Sequence, residues 1–169
     1  IILRHKKNYG VGGAFKTGLR FALDLGADLV VKIDSDGQMS PDLIPFLIKP
    51  ILDGKSDLTK GNRFRDPNVI LKMPKIRLIG NFFLSFLTKL STGYWELFDP
   101  TNGFISMNTK IIKSINLDKL DDRYFFETDL LFRCSLNEYF IYEIPMEAKY
   151  GEENSNLFPM NEIFNFLYK

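Results

Sequence analysis

The sequence predicts an α/β domain in which helices flank a mainly parallel sheet. An apolar run at residues 30–33 has the length and composition of a buried strand. The segment before it opens with a Gly-rich turn at residues 10–13, places its apolar residues at helical spacing and ends at Gly26. A helix between two strands is the repeating unit of parallel sheets. We therefore expect residues 1–5 to form a strand that precedes this helix.

The rest of the chain continues the alternation of helices and strands. Ser40 followed by Pro41 has the pattern of an N-cap with proline at the first helical position, and this helix is expected to end before Pro50. The remaining expected elements, in order, are a strand around 58–60, an amphipathic helix over 75–90, a turn over 99–107 that leads into a short strand, a helix over 127–136 and a strand over 140–145.

Length and composition fit a single domain over residues 1–169. The chain is 45% apolar and 25% charged, which is enough for one core and carries no signature of disorder. It begins with Ile-Ile-Leu and no Met, so we expect the domain to be truncated at its N-terminus, without its first strand. The C-terminal segment stops without a helix cap, which leaves room for further protein after residue 169.

Charge and cysteine content exclude several classes of protein. The net charge is +1, so nucleic acid is not an expected partner, although residues 4–7 and 60–77 are locally basic. The single Cys134 excludes an internal disulfide framework and fits a reducing compartment. No apolar run approaches the roughly 20 residues that span a bilayer. We expect a cytoplasmic protein, either free or at the cytoplasmic face of a membrane.

The segment Asp34-Ser35-Asp36-Gly37-Gln38 directly follows the apolar strand at 30–33. In open α/β sheets, ligands bind beyond the carboxyl ends of the strands. Two carboxylates at that place suit a hard divalent cation, Mg²⁺ or Mn²⁺, whose remaining ligands are substrate phosphates. The same residues also favour a plain Asx turn, and the segment alone leaves both interpretations open.

Several motifs occur together in one order along the chain. They are Asn8-Tyr9-Gly10-Val11-Gly12-Gly13-Ala14, the Asp34–Gln38 segment with Pro41, Gly61-Asn62-Arg63-Phe64, Arg77, Asp99-Pro100-Thr101-Asn102-Gly103-Phe104, Glu127-Thr128-Asp129-Leu130-Leu131 and Glu143-Ile144-Pro145. Over nearly its whole length the chain thus resembles glycosyltransferase family 2, whose fold is the Rossmann-like GT-A fold. It most resembles the dolichyl- and polyprenyl-phosphate sugar transferases of that family.

The resemblance implies a metal-dependent inverting transferase that uses a nucleotide-sugar donor. The implied acceptor is a polyprenyl or dolichyl phosphate. A saccharide hydroxyl as acceptor, or a nucleotide- or metal-binding module without transferase activity, are the alternatives.

The resemblance also implies roles for residues around the donor. Asp34 and Asp36 match the DXD motif that holds the metal on the donor diphosphate, and Gln38 matches a position that adds a ligand or a hydrogen bond. Arg63 and Arg77 match basic residues near phosphate groups, where a guanidinium can bind two oxygens at once. For Arg77, a solvated surface position is an equally good interpretation.

The glycine cluster allows two interpretations. Gly12 and its neighbours could cradle a phosphate at a helix N-terminus, with Asp34 about twenty positions on, where a dinucleotide fold keeps its ribose-binding acid. The spacing is not that of the dinucleotide motif, however, and we favour a tight turn into the helix. Family members often have Lys where this chain has Val11.

Glu127 and Asp129 bear on the mechanism. In family members that glycosylate a hydroxyl, an acid in this region is the general base. Asp129 matches that position most closely, and Glu127 then binds or orients the substrate. A lipid phosphate is already anionic and requires no base. The alternative is that both acids complement the dipole at the start of a helix.

The basic helix over residues 72–89 carries Phe82, Phe83 and Phe86. Its aromatic and cationic residues suit an interfacial surface near a lipid acceptor, that is, peripheral contact with a membrane. Its apolar residues also fit one stripe that packs on the core. We favour core packing.

Overall fold

The computed structural model describes residues 1–65, 67–73 and 75–146. Within them the helices and strands follow one another as α1 (Gly10–Asp24), β1 (Leu29–Lys32), α2 (Ile44–Leu52), β2 (Leu58–Asn62), α3 (Pro67–Lys72), α4 (Lys75–Thr92), β3 (Ile105–Asn108), α5 (Thr109–Ser114), α6 (Phe126–Leu136) and β4 (Ile141–Pro145). A 3₁₀ turn at Pro41–Leu43 leads into α2. None of the described helices is both long and apolar enough to cross a membrane.

The four strands form one open sheet in the order β1-β3-β2-β4. Strand β3 is antiparallel to β1 and to β2, whereas β2 and β4 are parallel. Strands β1, β2 and β4 therefore run in one direction, and β3 is the exception in a mainly parallel sheet. The carboxyl ends of these three strands and the amino end of β3 share one edge of the sheet.

Helices cover both faces of the sheet, which confirms the α/β class. On one face, α1, α5 and α6 pack over buried residues of β2 and β3, and the rings of Phe15 and Phe126 lie 4.9 Å apart. On the other face, Leu47 of α2 packs against Phe104, Ile144 and Met146. Because both faces are covered, the open edge at the strand ends is where polar side chains can gather.

Residues 1–5 do not form the expected strand. They have no regular secondary structure and are exposed, with Ile1 at 95% and Ile2 at 78% of full exposure. A strand needs a hydrogen-bonded neighbour to be stable, and none of the described strands pairs with this segment. The strand prediction for residues 1–5 is therefore wrong for the structure described.

Helix α4 presents its apolar stripe to the outside, so the expectation that this stripe packs on the core is wrong. The residues that face the protein are small and polar: Ser85, Thr88 and Thr92 are at most 9% exposed. Thr88 and Thr92 donate their hydroxyls to the carbonyls of Leu84 and Thr88, so burial costs them no hydrogen bond. The exposed apolar residues of α4 are Ile76, Ile79, Phe82, Phe83, Phe86 and Leu90.

Candidate active site

Two carboxylates from distant parts of the chain meet beside Gly103. A Cβ atom at Gly103 would lie 2.8 Å from Oε1 of Glu127 and 2.9 Å from Oδ2 of Asp34. Asp34 follows β1, Gly103 precedes β3, and Glu127 lies in the first turn of α6. The carboxyl edge of the sheet thus brings together three of the motifs that the sequence places up to 93 residues apart.

The Asp34–Gln38 segment forms a turn with Asp36 on its outside. Oδ1 of Asp36 accepts the backbone N–H of Gln38 at 3.0 Å, and Gly37 has a φ of +76°. The Asx turn is therefore present, and Asp36 is exposed on it. A turn and a metal site are compatible here, since the turn leaves the motif open to solvent.

The side-chain oxygen atoms of this segment are suitable ligands for a hard divalent cation. Asp34 and Asp36 offer carboxylate oxygens, and Gln38 offers an amide oxygen. Among the described residues, no three acidic, histidine or cysteine side chains converge on a common point. A cation here would need further oxygen ligands, which is the usual situation where substrate phosphates complete the coordination.

Lys32 lies against Asp34, a contact that the sequence motifs do not indicate. Its ammonium group donates to both oxygens of Asp34, at 2.8 and 3.0 Å, and to the carbonyl oxygen of Gly103 at 3.1 Å. Its side chain is 11% exposed. The signal in the sequence was a single lysine in the apolar strand 29–33, because a charge at a half-buried position needs a partner.

Glu127 is the acid that faces this cluster. Its Oε1 lies 3.9 Å from Nζ of Lys32, and its side chain is 13% exposed. Burial raises the pKa of Glu127 to about 7, although the charges of Lys60 and Lys32 oppose the shift. A carboxyl group with such a pKa can accept a proton near neutral pH.

Asp129 faces the other way. Residues two apart in an α-helix point to opposite sides, and Asp129 pairs with Nε of Arg133 at 2.9 Å. Its Oδ2 also accepts the backbone N–H of Asp121 at 2.9 Å. These contacts anchor the loop before α6 and do not bring Asp129 to the Asp34 cluster.

Arg63 is oriented by Asp99. Its Nε and Nη2 donate to the two oxygens of Asp99 at 2.8 and 2.7 Å, and its backbone N–H donates to Oδ2 at 3.0 Å. Burial opposes ionisation of Asp99, but the charge and hydrogen bonds of Arg63 prevail and lower the pKa of Asp99. Nη2 of Arg63 also reaches Oγ1 of Thr101 at 3.4 Å. Contact of Arg63 with phosphate stays a prediction.

Two buried ionisable side chains, Lys60 and Glu143, hold the loop at residues 98–104 through hydrogen bonds to its backbone. The ammonium group of Lys60 donates to the carbonyls of Pro100 and Asn102, at 3.1 and 2.6 Å. The carboxylate of Glu143 accepts the backbone N–H groups of Phe98 and Asp99 and the side-chain amide of Asn62. Burial lowers the pKa of Lys60 and raises that of Glu143. The loop is thus fixed without a ligand.

Gly12 lies in a close contact between α1 and the loop before α6. A Cβ atom there would lie 2.8 Å from the carbonyl carbon of Asp122 and 2.9 Å from Cβ of Phe126. The backbone N–H of Gly13 donates to the carbonyl of Asp122 at 3.0 Å. These contacts fit the tight-turn interpretation, and a phosphate contact at Gly12 stays a prediction. Arg77 lies in α4, but its side chain is outside the described part of the chain.

The model of the family described as glycosyl transferase family 2 matches residues 1–115. The chain is 35% identical over 152 residues to the UDP-N-acetylglucosamine–dolichyl-phosphate N-acetylglucosaminyltransferase of Methanococcus voltae, covering 90% of this chain and 60% of that protein. It is 28% identical over 155 residues to the undecaprenyl-phosphate mannosyltransferase of Micrococcus luteus, covering 89% and 63%. The chain thus spans about 60% of the length of these relatives.

Among solved structures, the chain is similar to the glucosyl-3-phosphoglycerate synthase of Mycobacterium tuberculosis in complex with Mn²⁺ and UDP-glucose. The TM-score is 0.65 at 20% identity, and the match covers 99% of this chain and 55% of that one. At this identity the likeness concerns the fold.

Proposed function

Because this chain belongs to glycosyltransferase family 2 and has the GT-A fold, we propose that it is the catalytic part of a metal-dependent, inverting sugar transferase. The proposed donor is a nucleotide-diphosphate sugar, bound with Mg²⁺ or Mn²⁺. The proposed acceptor is a polyprenyl or dolichyl phosphate. The names of two relatives support this acceptor, since both include a lipid phosphate.

The observation that carries the proposal is the meeting of Asp34, Gly103 and Glu127 at the carboxyl edge of the sheet. This is where open α/β sheets bind their ligands. The acidic turn suits a diphosphate with its metal, and the fixed loop at 98–104 offers a rigid wall beside it. Rigid surroundings support catalysis because little reorganisation is needed when the substrates bind.

In the proposed reaction, an acceptor oxygen attacks the anomeric carbon of the donor sugar. A bond forms between that oxygen and the carbon, the bond from the carbon to the diphosphate oxygen breaks, and the configuration inverts. A bound divalent cation would neutralise charge on the departing nucleoside diphosphate without a proton transfer. Asp34, Asp36 and Gln38 are the residues that would hold it, and Arg63 and Arg77 are proposed to contact phosphate groups.

The role of Glu127 depends on the acceptor. A lipid phosphate attacks with an oxygen that is already charged, so no base is needed. A saccharide hydroxyl, the second candidate acceptor, would require one, and Glu127 could supply it because it lies beside Asp34 and its pKa is raised to about 7. The geometry supports Glu127 rather than Asp129 for that role, because Asp129 is already bound to Arg133 and Asp121.

The variant Glu127→Gln separates the two acceptors. With polyprenyl phosphate as acceptor we expect its kcat to stay within about tenfold of wild type, because no proton has to be removed. With a saccharide acceptor, loss of a general base typically costs about 10² to 10⁴ in rate. Steady-state assays of the full-length protein with both acceptors make the comparison. A loss of about 10³ with polyprenyl phosphate would contradict the absence of a base.

Donor binding tests the proposed site itself. We expect the full-length protein to bind UDP or GDP in a manner that depends on Mn²⁺, and calorimetric titration measures this. Asp34→Ala and Asp36→Ala are expected to weaken binding by about tenfold or more, which corresponds to about 1.4 kcal/mol. Asp42→Ala, at an exposed aspartate in the turn before α2, is the matched control and should bind as wild type does. Unchanged binding in both motif variants would refute the site.

We further propose that the exposed apolar face of α4 contacts the membrane that contains the lipid acceptor. The face combines Phe82, Phe83 and Phe86 with neighbouring aliphatic residues. Helix α4 carries Lys75, Arg77 and Lys89 and no acidic residue. Apolar residues beside cations suit a surface with anionic lipid headgroups. The protein is accordingly proposed to work at the cytoplasmic face of a membrane.

A further inference from the structure

A row of charged side chains crosses the sheet close to the site. Lys32 of β1 and Lys60 of β2 both pair with Ile105 of β3, and Lys60 also pairs with Glu143 of β4. Residues in register project to the same face of a sheet. Both lysines and Glu143 therefore lie on the face that α6 covers, and Nζ of Lys32 is 5.6 Å from the ring centre of Phe126 in α6.

Lys32 and Lys60 make different contacts. Lys60 is fully buried and donates to carbonyls of the loop at 98–104. Lys32 donates to the Gly103 carbonyl of the same loop, but it also binds both oxygens of Asp34. Lys32 thus links the acidic motif to the loop, which Lys60 holds in place.

The ammonium group of Lys32 lies where a cation is required. Asp34 and Glu127 both come within 3 Å of the point where a Cβ atom of Gly103 would be, and that atom would also collide with Nζ of Lys32. Two carboxylates this close repel each other unless a positive charge lies between them. The carboxylates and the Gly103 carbonyl are also hard oxygen ligands of the kind that a divalent cation takes.

We propose that Lys32 is a positioning residue, a built-in counter-cation that holds Asp34 in the place where a second divalent ion would otherwise bind. The inference rests on the proposed function, because it concerns how the same donor site holds its metal. Because Lys32 already neutralises part of the charge of Asp34, we expect a single metal ion, that of the donor complex, at Asp34, Asp36 and Gln38. The Gly103 position has to be glycine because a side chain would displace the ammonium group.

Removal of the charge should therefore create a second metal site. In Lys32→Met, an apolar chain of similar length replaces the lysine, and Asp34, Glu127 and the Gly103 carbonyl are left facing one another. We expect the full-length variant, with saturating UDP or GDP, to bind two Mn²⁺ per chain where wild type binds one. Electron paramagnetic resonance counts the free and bound Mn²⁺.

Two variants control for simple damage to the fold. Lys32→Arg keeps the positive charge and should bind one Mn²⁺. The double variant Lys32→Met/Glu127→Gln removes one carboxylate of the created site and should also return to one. Where Lys32→Met does not fold, as judged by circular dichroism, Lys32→Gln carries the same expectation of two, because its side chain is polar but carries no charge.

The outcomes are distinct. A folded Lys32→Met or Lys32→Gln variant that binds one Mn²⁺ overturns the inference and leaves the proposed function standing. A wild-type protein that binds no Mn²⁺ with either nucleotide overturns the proposed function, and the inference with it.

Discussion

At the scale of single residues, Arg63 and Asp99 form a buried ion pair near the site. Asp99 is fully buried and receives three hydrogen bonds from Arg63. The loss of one partner from a buried ion pair leaves a charge without compensation, which typically costs about 3 to 5 kcal/mol. This pair therefore contributes to the stability of the site as well as to its geometry.

We expect Asp99→Asn to lower the free energy of unfolding by about 3 kcal/mol, since Arg63 loses its counter-charge. Urea denaturation measures the change. The control is Asp118→Asn, which removes an exposed ion pair with Arg20 and should cost less than about 1 kcal/mol. Equal losses in the two variants would contradict the account.

The same pair predicts how stability varies with pH. The pKa of Asp99 is lower in the folded protein than its ordinary value, so its contribution is present above about pH 4 and is lost as pH falls below it. The difference in the free energy of unfolding between wild type and Asp99→Asn should therefore become smaller as the pH falls. A gap between the two proteins that stays constant from pH 7 to 3 would contradict this.

Sequence reasoning found the acids at the site but missed their partners. Asp34 and Asp36 could be predicted because a strand and the turn after it are local features. The pairing of Arg63 with Asp99 joins residues 36 apart, so no local pattern reveals it. Lys32 was detectable only as a charge in an apolar strand, and its partner Gly103 lies 71 residues away.

At the scale of elements, α1, α4 and α6 could be predicted from periodicity, but the buried face of α4 could not. The expectation that the helix after Pro41 ends before Pro50 is wrong, because α2 continues through Pro50 to Leu52, and the short helices α3 and α5 were not expected. Periodicity says which residues share a face, whereas the neighbouring helix decides which face is covered. Here α4 packs on α6, and the small residues Ser85, Thr88 and Thr92 allow close approach. The apolar face of α4 is not covered by the described residues, so it is accessible to another surface.

Liposome flotation tests that face. We expect the full-length protein to float with anionic liposomes, and Phe82→Asp/Phe86→Asp to reduce the floated fraction severalfold, because charges are costly at the acyl boundary. Leu52→Asp changes a residue on α2 that is also exposed, at 71%, and should float as wild type does. If the protein stays at the bottom of the gradient, membrane contact through α4 is refuted.

Helix α1 offers a matched pair of glycines. Gly12 lies against the backbone of residues 121–122, whereas Gly18 has no atom within 4 Å of a Cβ position. We expect Gly12→Ala to destabilise the protein by about 1 to 3 kcal/mol through overpacking. Gly18→Ala should stabilise it by up to about 1 kcal/mol, because alanine favours the helix. Thermal unfolding measures both, and equal effects would rule out the packing explanation for Gly12.

At the scale of the whole molecule, the site exists because β1, β2 and β4 end at the edge of the sheet where β3 begins. Strands β1 and β2 deliver Asp34 and Arg63 there, and the antiparallel β3 brings in the loop at 98–104 ahead of it. The α/β class could be predicted from the alternation of elements. The place of β3 between β1 and β2 could not, because strand order depends on contacts between distant parts of the chain.

Transfer of sugar to lipid phosphate is the most direct test of the central claim. The full-length protein is incubated with Mn²⁺, polyprenyl phosphate and a panel of radiolabelled nucleotide sugars, and the label in the organic phase is counted. We expect lipid-linked product from at least one donor, its loss on chelation of the metal, and a fall of about 10² or more in Asp36→Ala. No lipid-linked product from any donor, or the same yield from Asp36→Ala as from wild type, would contradict the claim.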